Sequence, residues 1–316
     1  MDLLGYAAFF LSTALIFGLI ALGLNLQWGL TGLFNVGIAG FVAIGAYTSA
    51  LLTTPAVADR IGGFGLPIAV GWLGAMVLAG AAAALTGFAT LRLKADYLAI
   101  TTFGVAVVAQ LVALNAVGLT GGPFGVAFIP RPFGALADHP VLFNFSNFAV
   151  VLAVTAVTYL ALQHLTKSPW GRVLRALRED ERAAVSLGKS ARSYRIQAFA
   201  AGGAVMGLAG AVQAHLIGFI APDDYVPTLT FQVWAMLMVG GSGSNRGALA
   251  GAVVVWAVWV GAGALTAALV PTEFQARAAA LQIVAIGVML CVILLARPQG
   301  FFGPTRRKAK PGGGDA

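Results

Sequence analysis

The 316-residue chain has one cysteine, three histidines and only 9% charged residues. Each scarcity closes a class of function. Cys291 stands alone inside an apolar run, which excludes an intrachain disulfide and a thiolate metal cluster. His139, His164 and His215 are 25 and 51 residues apart, a spacing foreign to metal motifs, so each is read as structural. A soluble domain carries about 25% charged residues. At 9% charged and 59% hydrophobic, with a mean hydropathy of +0.89, the chain is neither a soluble enzyme, a nucleic-acid binder nor a disordered protein. Its net charge of +8 comes from cations gathered in a few blocks between long uncharged runs, a pattern that orients a chain in membrane lipid and gives no reason to expect nucleic acid.

Several motifs are missing as well. No G-x-x-x-x-G-K-[ST] phosphate loop occurs, so work derived from ATP must come from another chain. The run VGGSGSNRG places Gly241, Gly243 and Gly247 one residue too far apart for a dinucleotide fingerprint, and Ser244 stands where G-x-S-x-G needs its last glycine. The apolar runs are almost free of ionisable residues, which argues against a proton-coupled carrier and against membrane enzymology.

What is abundant is glycine, 41 residues where average usage gives about 22, and long apolar stretches. The 56 uncharged residues between Asp2 and Asp59 hold two helices of about 20 residues each. The first is too long for the apolar core of a signal peptide and lacks its basic start, so it is read as a retained span. Further spans are predicted near 66–90, 98–118, 147–165, 198–220, 228–240, 249–269 and 278–296. The fold expected is an all-α polytopic membrane protein of about nine transmembrane helices (8–10), some broken or re-entrant. Residues 1–303 form a single transmembrane domain and 304–316 a flexible basic and glycine-rich tail. With alternating loops, sixteen of the nineteen Lys and Arg residues fall on one side, and Arg60, Arg131 and Arg277 on the other. The positive-inside rule then puts the N-terminus outside and the C-terminus in the cytoplasm.

The richest local signal is SPWGRVLRALREDERAAVSLGKSARSYR. Taking the eight cations of 167–195 through a bilayer at about 2.5 kcal/mol each would cost about 20 kcal/mol, which keeps this block cytoplasmic. Ser168-Pro169 is a helix start, and Val173, Leu174, Leu177, Ala184 and Leu187 recur at helical spacing among charged residues. Two readings stand: a solvated surface helix, or a short amphipathic helix docking in a groove of a cytoplasmic partner.

The segments GLNLQWGLTGLFNVGIAGFVAIGAYTSALL, LRLKADYLAITTFG, LTGGPFGV, GRVLRALREDERAAVSLG, AFAAGGAVMGLAGAVQAHLIGFIAPDDY, MVGGSGS and RPQGFFG run in order from about residue 23 to 303. Together they resemble the LivM-type permease subunits of branched-chain amino acid ABC importers. The resemblance implies a multi-pass protein of the bacterial inner membrane, not itself an enzyme. Its implied partners are a LivH-type second permease, two cytoplasmic ATPases that bind the ATP and magnesium, and a periplasmic amino-acid-binding protein. This chain itself would hold no cofactor. Carried over from the family, the ATPase-coupling loop is Gly171, Arg172, Arg178, Glu179, Asp180, Glu181 and Gly188. The match departs at Asn35-Val36-Gly37-Ile38-Ala39, where relatives carry Ser-x-Gly-His-Ala, and at Ala248, where they carry proline.

A zwitterionic solute crossing lipid needs polar groups in place of its water. The candidates are Asn25, Asn35, Thr101, Thr102, Gln110, Asn115, Gln213 and Gln232, each of which could instead serve only a helix-to-helix hydrogen bond worth about 0.6 kcal/mol. Glycine-dense 23–45, including Gly37, is the expected place for a discontinuous helix lining the path, with close helix packing as the competing reading. Gly203-x-x-x-Gly207 and Gly247-x-x-x-Gly251 are read as packing contacts, Asp96 as a helix cap, and Arg92 and Lys94 as inner-face anchors. The function expected is inward transport of branched-chain or related hydrophobic amino acids. Alternatives are a urea or short-amide permease of the same architecture, a self-sufficient channel or secondary carrier, and a scaffold that moves nothing.

Overall fold

The computed structural model describes residues 3–57, 60–90, 95–136 and 138–271, with isolated positions between 274 and 300. Among the described residues the chain is helical apart from turns and one antiparallel bridge, Val126 with Ile220. The helices are α1 (Leu3–Leu24), α2 (Ile38–Thr53), α3 (Ile68–Thr90), α4 (Ala95–Asn115), the single turn α5 (Val117–Thr120), α6 (Pro140–Lys167), α7 (Pro169–Glu179), α8 (Glu181–Ser186), α9 (Ala191–Ile217), α10 (Pro227–Gly240) and α11 (Asn245–Leu269). Helix α1 runs on into a π-helical turn, Asn25–Gly29.

Six helical stretches are long and apolar enough to cross a membrane: Leu4–Gly29, Ile68–Thr90, Asp96–Asn115, Pro140–Lys167, Ala191–Ile217 and Asn245–Leu269. Two more expected spans are present as helices but fall short of about 20 residues, α2 with 16 and α10 with 14. The ninth expected span, 278–296, lies mostly outside the described residues, and Arg92, Lys94, Arg277 and the tail 304–316 lie wholly outside them.

Helix limits move where hydropathy alone set them. Helix α9 starts at Ala191 instead of 198, because Ser190 caps it, accepting from Ser193 N at 3.4 Å, and arginines are good helix formers. Helix α6 starts at Pro140 instead of 147, proline being suited to a first turn. Asp96 lies within the first turn of α4 instead of at its cap position, where its charge still suits the helix dipole.

Helices α1 and α9 form the centre. Their most apolar windows are 67% buried, against 22–28% for the other four long spans. Helix α9 packs on α1, α2 and α3, while α1 also meets α6 and α11. Small residues permit this. A Cβ on Gly203 would sit 3.1 Å from Ala79 O, and one on Gly207 would sit 2.8 Å from Ala75 O. A Cβ on Gly45 of α2 would in turn collide with the Gly207 backbone, and one on Gly247 would sit 2.6 Å from Gly240 O. The small-residue motifs are packing seams, as their spacing predicts.

The connections sort to two ends. At one, Ile61 N donates to Gly118 O at 2.6 Å, Val126 N to Ile220 O at 2.8 Å, and Ile129 N to Gly218 O at 3.1 Å. Arg131 donates to Ile217 O there. His215 bonds both Ser49 Oγ at 2.8 Å and Pro130 O at 2.6 Å, the structural role expected of it. Asp224 accepts from Ala221 N at 2.9 Å. Burial, then the Asp224 and Tyr47 neighbours, pushes the Tyr225 phenol well above its usual range, so it stays neutral. The opposite end gathers 27–33, α7, α8 and the turn between α10 and α11.

Candidate functional site

The site has an outer and an inner part, both at that second end. The outer part is the charged block, folded as two helices where one was expected. Asp180 ends α7 in an extended conformation and caps α8, its Oδ1 accepting from Ala183 N at 3.0 Å. Gly188 closes α8 with φ +79°, a backbone state that costs glycine little, and its N–H reaches Val185 O at 2.9 Å.

The apolar positions face inward as the spacing predicts: Leu174, Leu177 and Ala184 are buried. Leu187, at the far tip, is 80% exposed. Gly171 is fixed by close approach, since a Cβ there would sit 2.6 Å from the Thr166 carbonyl carbon. Arg172, Glu179, Asp180 and Glu181 are exposed, and Glu179 to Arg182 line an open notch with Val185. Two side chains outside the expected set hold the pair of helices to α9. Arg195 forms a two-pronged bond to Glu181 at 2.9 and 3.2 Å, and Trp170 Nε1 donates to Gln197 Oε1 at 2.8 Å.

The inner part is a broken segment. After the π-helical turn the chain runs non-helically from 32 to 37 between α1 and α2, with Leu33, Asn35 and Gly37 buried. Backbone that leaves a helix inside a protein must find other partners, and uncharged side chains supply them. Asn35 Oδ1 accepts from Gly37 N at 2.7 Å while its Nδ2 donates to Gln27 Oε1 at 2.6 Å. Gln27 Nε2 then donates to Phe199 O on α9 at 2.8 Å. Val36 N donates to Thr102 Oγ1 at 3.0 Å, Ala39 N to Thr230 Oγ1 at 3.2 Å, and Trp234 Nε1 to Asn35 O at 3.0 Å. Asn25 links the π turn to the α10–α11 turn, donating to Asn245 Oδ1 at 2.8 Å and accepting from Gly243 N at 2.7 Å. Asn25, Gln27, Asn35 and Thr102 are completely buried. Trp28, Phe34 and Trp234 pack beside them with ring centroids 4.7–5.3 Å apart. Gly37 is required because a Cβ would meet Thr102 O at 2.5 Å.

Arg178 joins the two parts. Arg178, four residues beyond buried Leu174 and so beside the buried face of α7, donates to Gly29 O at the end of the π turn. The outer helices are thereby tied to the backbone that carries Asn25 and Gln27.

Of the expected path residues the structure brings together Asn25, Asn35, Gly37 and Thr102. The others lie apart. Among the described residues Thr101 and Asn115 bond only to carbonyls of their own helix, Tyr97 O and Leu111 O, and Gln110 is half-buried along α4. Gln213 on α9 has a buried Oε1 with no partner among the described residues. On α10 it is Thr230 and Trp234 that bond to the segment, not Gln232. The expected set lacks Gln27 and Asn245; the signal Gln27 offers, an uncharged polar residue inside an apolar run, is shared with residues such as Asn115 that bond within their own helix.

Residues 6–294 match the family described as branched-chain amino acid transport system / permease component. The chain is 32% identical over 321 residues to the high-affinity branched-chain amino acid transport system permease protein LivM of Escherichia coli, covering 94% of this chain and 70% of that protein. It is 27% identical over 298 residues to LivH of the same organism, with 91% of each covered, and 30% identical over 256 residues to the guanosine ABC transporter permease protein NupQ of Bacillus subtilis, with 76% and 71% covered. A central pair of helices, a buried polar break and a charged helical pair at one end thus occur in a chain that belongs to the family of branched-chain amino acid transport permease components.

Proposed function

We propose that this chain is one membrane subunit of an ABC importer that moves branched-chain or related hydrophobic amino acids into the bacterial cytoplasm. Its partners are a LivH-type second permease, two cytoplasmic ATPases that bind the ATP and magnesium, and a periplasmic amino-acid-binding protein. The chain holds no cofactor of its own and catalyses no reaction. Residues 1–303 act as one transmembrane domain of nine spans in the inner membrane, N-terminus outside, with 304–316 a cytoplasmic tail. The clustering of 27–33, α7, α8 and the α10–α11 turn at one end supports the alternation on which that sidedness rests.

The observation that carries the reading is the bond from Arg178 to the Gly29 carbonyl. Arg172, Glu179, Asp180, Glu181 and Gly188 form the surface on which an ATPase pulls, Gly171 seats α7 against the end of α6, and α7 passes the movement through Arg178 to the π turn. There it reaches a hydrogen-bonded break whose side chains can exchange partners. A zwitterion costs many kcal/mol to strip of water, and Asn25, Asn35, Thr102 and the freed amide groups supply replacements, with Thr101, Gln110, Asn115 and Gln213 further along the route. A second reading, in which the solute is not an amino acid, is favoured by the likeness to a guanosine permease.

The test is reconstitution of the five-component importer in vesicles. Labelled leucine should accumulate only with ATP and the ATPases present, and replacing Glu179, Asp180 and Glu181 by alanine should leave assembly and ATP hydrolysis in place while uptake falls at least tenfold. Uptake that persists without ATPases would defeat the proposal, and guanosine outcompeting leucine would select the second reading.

A further inference from the structure

Beside the Arg178 link lies a cavity of about 370 Å³ to which the proposed transport cycle assigns nothing. Its polar walls are Gln163 and Lys167 at the end of α6, Arg175 on α7, and Ser244, Asn245 and Arg246 at the start of α11, and Leu30 beside the π turn closes one side. Among the described residues, none of the three cations has a carboxylate within 4.0 Å. Lys167 has an ordinary explanation in the last turn of α6, where a cation suits the helix dipole. Arg175 and Arg246 belong to the basic inner end, and Arg246 bonds through its Nε to Tyr159 Oη at 3.4 Å, which leaves its terminal amino groups and the Arg175 guanidinium without a partner among the described residues.

We propose that this cavity binds a phosphate group. All three side chains are exposed and hydrated, yet three like charges around one concavity raise its potential for an anion, and two guanidinium forks match phosphate oxygens with paired donors. Ser244 caps α11, accepting from Gly247 N at 3.2 Å, so the first-turn amides of Asn245 and Arg246 add donors and a favourable dipole to the same space. Asn245 is further held by Gln163, its Nδ2 donating to Oε1 at 3.1 Å. The cavity opens at the ends of two membrane-length helices, the level of lipid headgroups. The phosphate is therefore that of an anionic phospholipid or a free phosphate. The inference rests on the sidedness proposed above, but its test does not depend on transport.

The purified full chain in neutral detergent is titrated with short-chain phosphatidylglycerol. Saturable binding is expected, weakened at least tenfold in Arg175→Gln/Arg246→Gln and weakened to an intermediate degree in Arg175→Lys/Arg246→Lys, which keeps the charge but loses the paired donors. A charge-matched pair, Lys189→Gln/Arg192→Gln, should bind as the wild type does. Inorganic phosphate at millimolar concentration that displaces the lipid marks free phosphate as sufficient, whereas failure to displace it marks the lipid as the ligand. Either outcome supports the site. The wild type alone gives an independent reading: phosphatidylglycerol should raise its melting temperature more than phosphatidylcholine at equal concentration. Equal melting temperatures with the two lipids, or equal binding by wild type and the glutamine pair, overturns the proposal.

Discussion

The helical pair α7–α8 and the broken segment at 25–37 sit against each other yet meet opposite solvation problems. The pair keeps its arginines and carboxylates exposed and buries Gly171, Leu174, Leu177 and Ala184. The segment buries polar groups completely, carries no charge, and satisfies almost every one of them with a named partner. Damage should follow the same division. An exposed ion pair contributes about 0–1 kcal/mol, whereas an orphaned buried donor or acceptor costs about 1–3 kcal/mol. The pair is therefore free to serve contact with a partner, and the segment is constrained by its own packing.

Substitutions can break or sharpen this contrast. The largest effect is expected for Gly37→Val, whose new Cβ would press on Thr102 O. Overpacking there should destabilise by about 3 kcal/mol, seen as loss of monodisperse protein after detergent extraction, and a fully stable variant would mean the segment is loosely held. Next, Asn35→Ala strips partners from Gly37 N and Gln27 Oε1, so the melting temperature should fall by an amount equivalent to about 2 kcal/mol. At the boundary between the two regions, Arg178→Gln should reduce ATP-driven uptake about tenfold while stability shifts by less than about 1 kcal/mol. Parallel loss of stability and uptake would make Arg178 a simple brace. The smallest effect belongs to the outer pair. Glu181→Ala removes the bond to Arg195, but the carboxylate is about half exposed, and a stability change beyond about 0.5 kcal/mol would contradict the surface character assigned to it.

The two regions also differed in how openly the chain announced them. Leu174 and Leu177 lie three apart among arginines, a pattern that names both the helix and its inward face. Asp180 and Gly188 mark helix ends by residue type, though the division into two helices was not foreseen, because one capping residue inside a helical pattern does not fix where the chain turns. In the broken segment glycine density announced a break, but not which side chains would repair it. Gln27 is absent from the expected set while Asn115, which bonds to its own helix, is in it, because an amide in an apolar run looks the same whether it spans two helices or bonds to its own carbonyl. Helices α2 and α10 were foreseen as helices, yet their lengths depend on where the packed backbone stops.

Composition and charge spacing by themselves determined that this is a helical membrane protein, where its long helices run and which block must stay in water. Those properties arise from the transfer of each residue between water and lipid, and such transfer is local and additive. Only the tertiary structure decided that α1 and α9 form the centre, that Asn25, Gln27, Asn35, Thr102 and Asn245 meet around one break, and that Arg178 bridges to it. Hydrogen bonds across as many as 220 positions of sequence depend on which helix faces which, and that follows from how small residues allow the helices to close on one another.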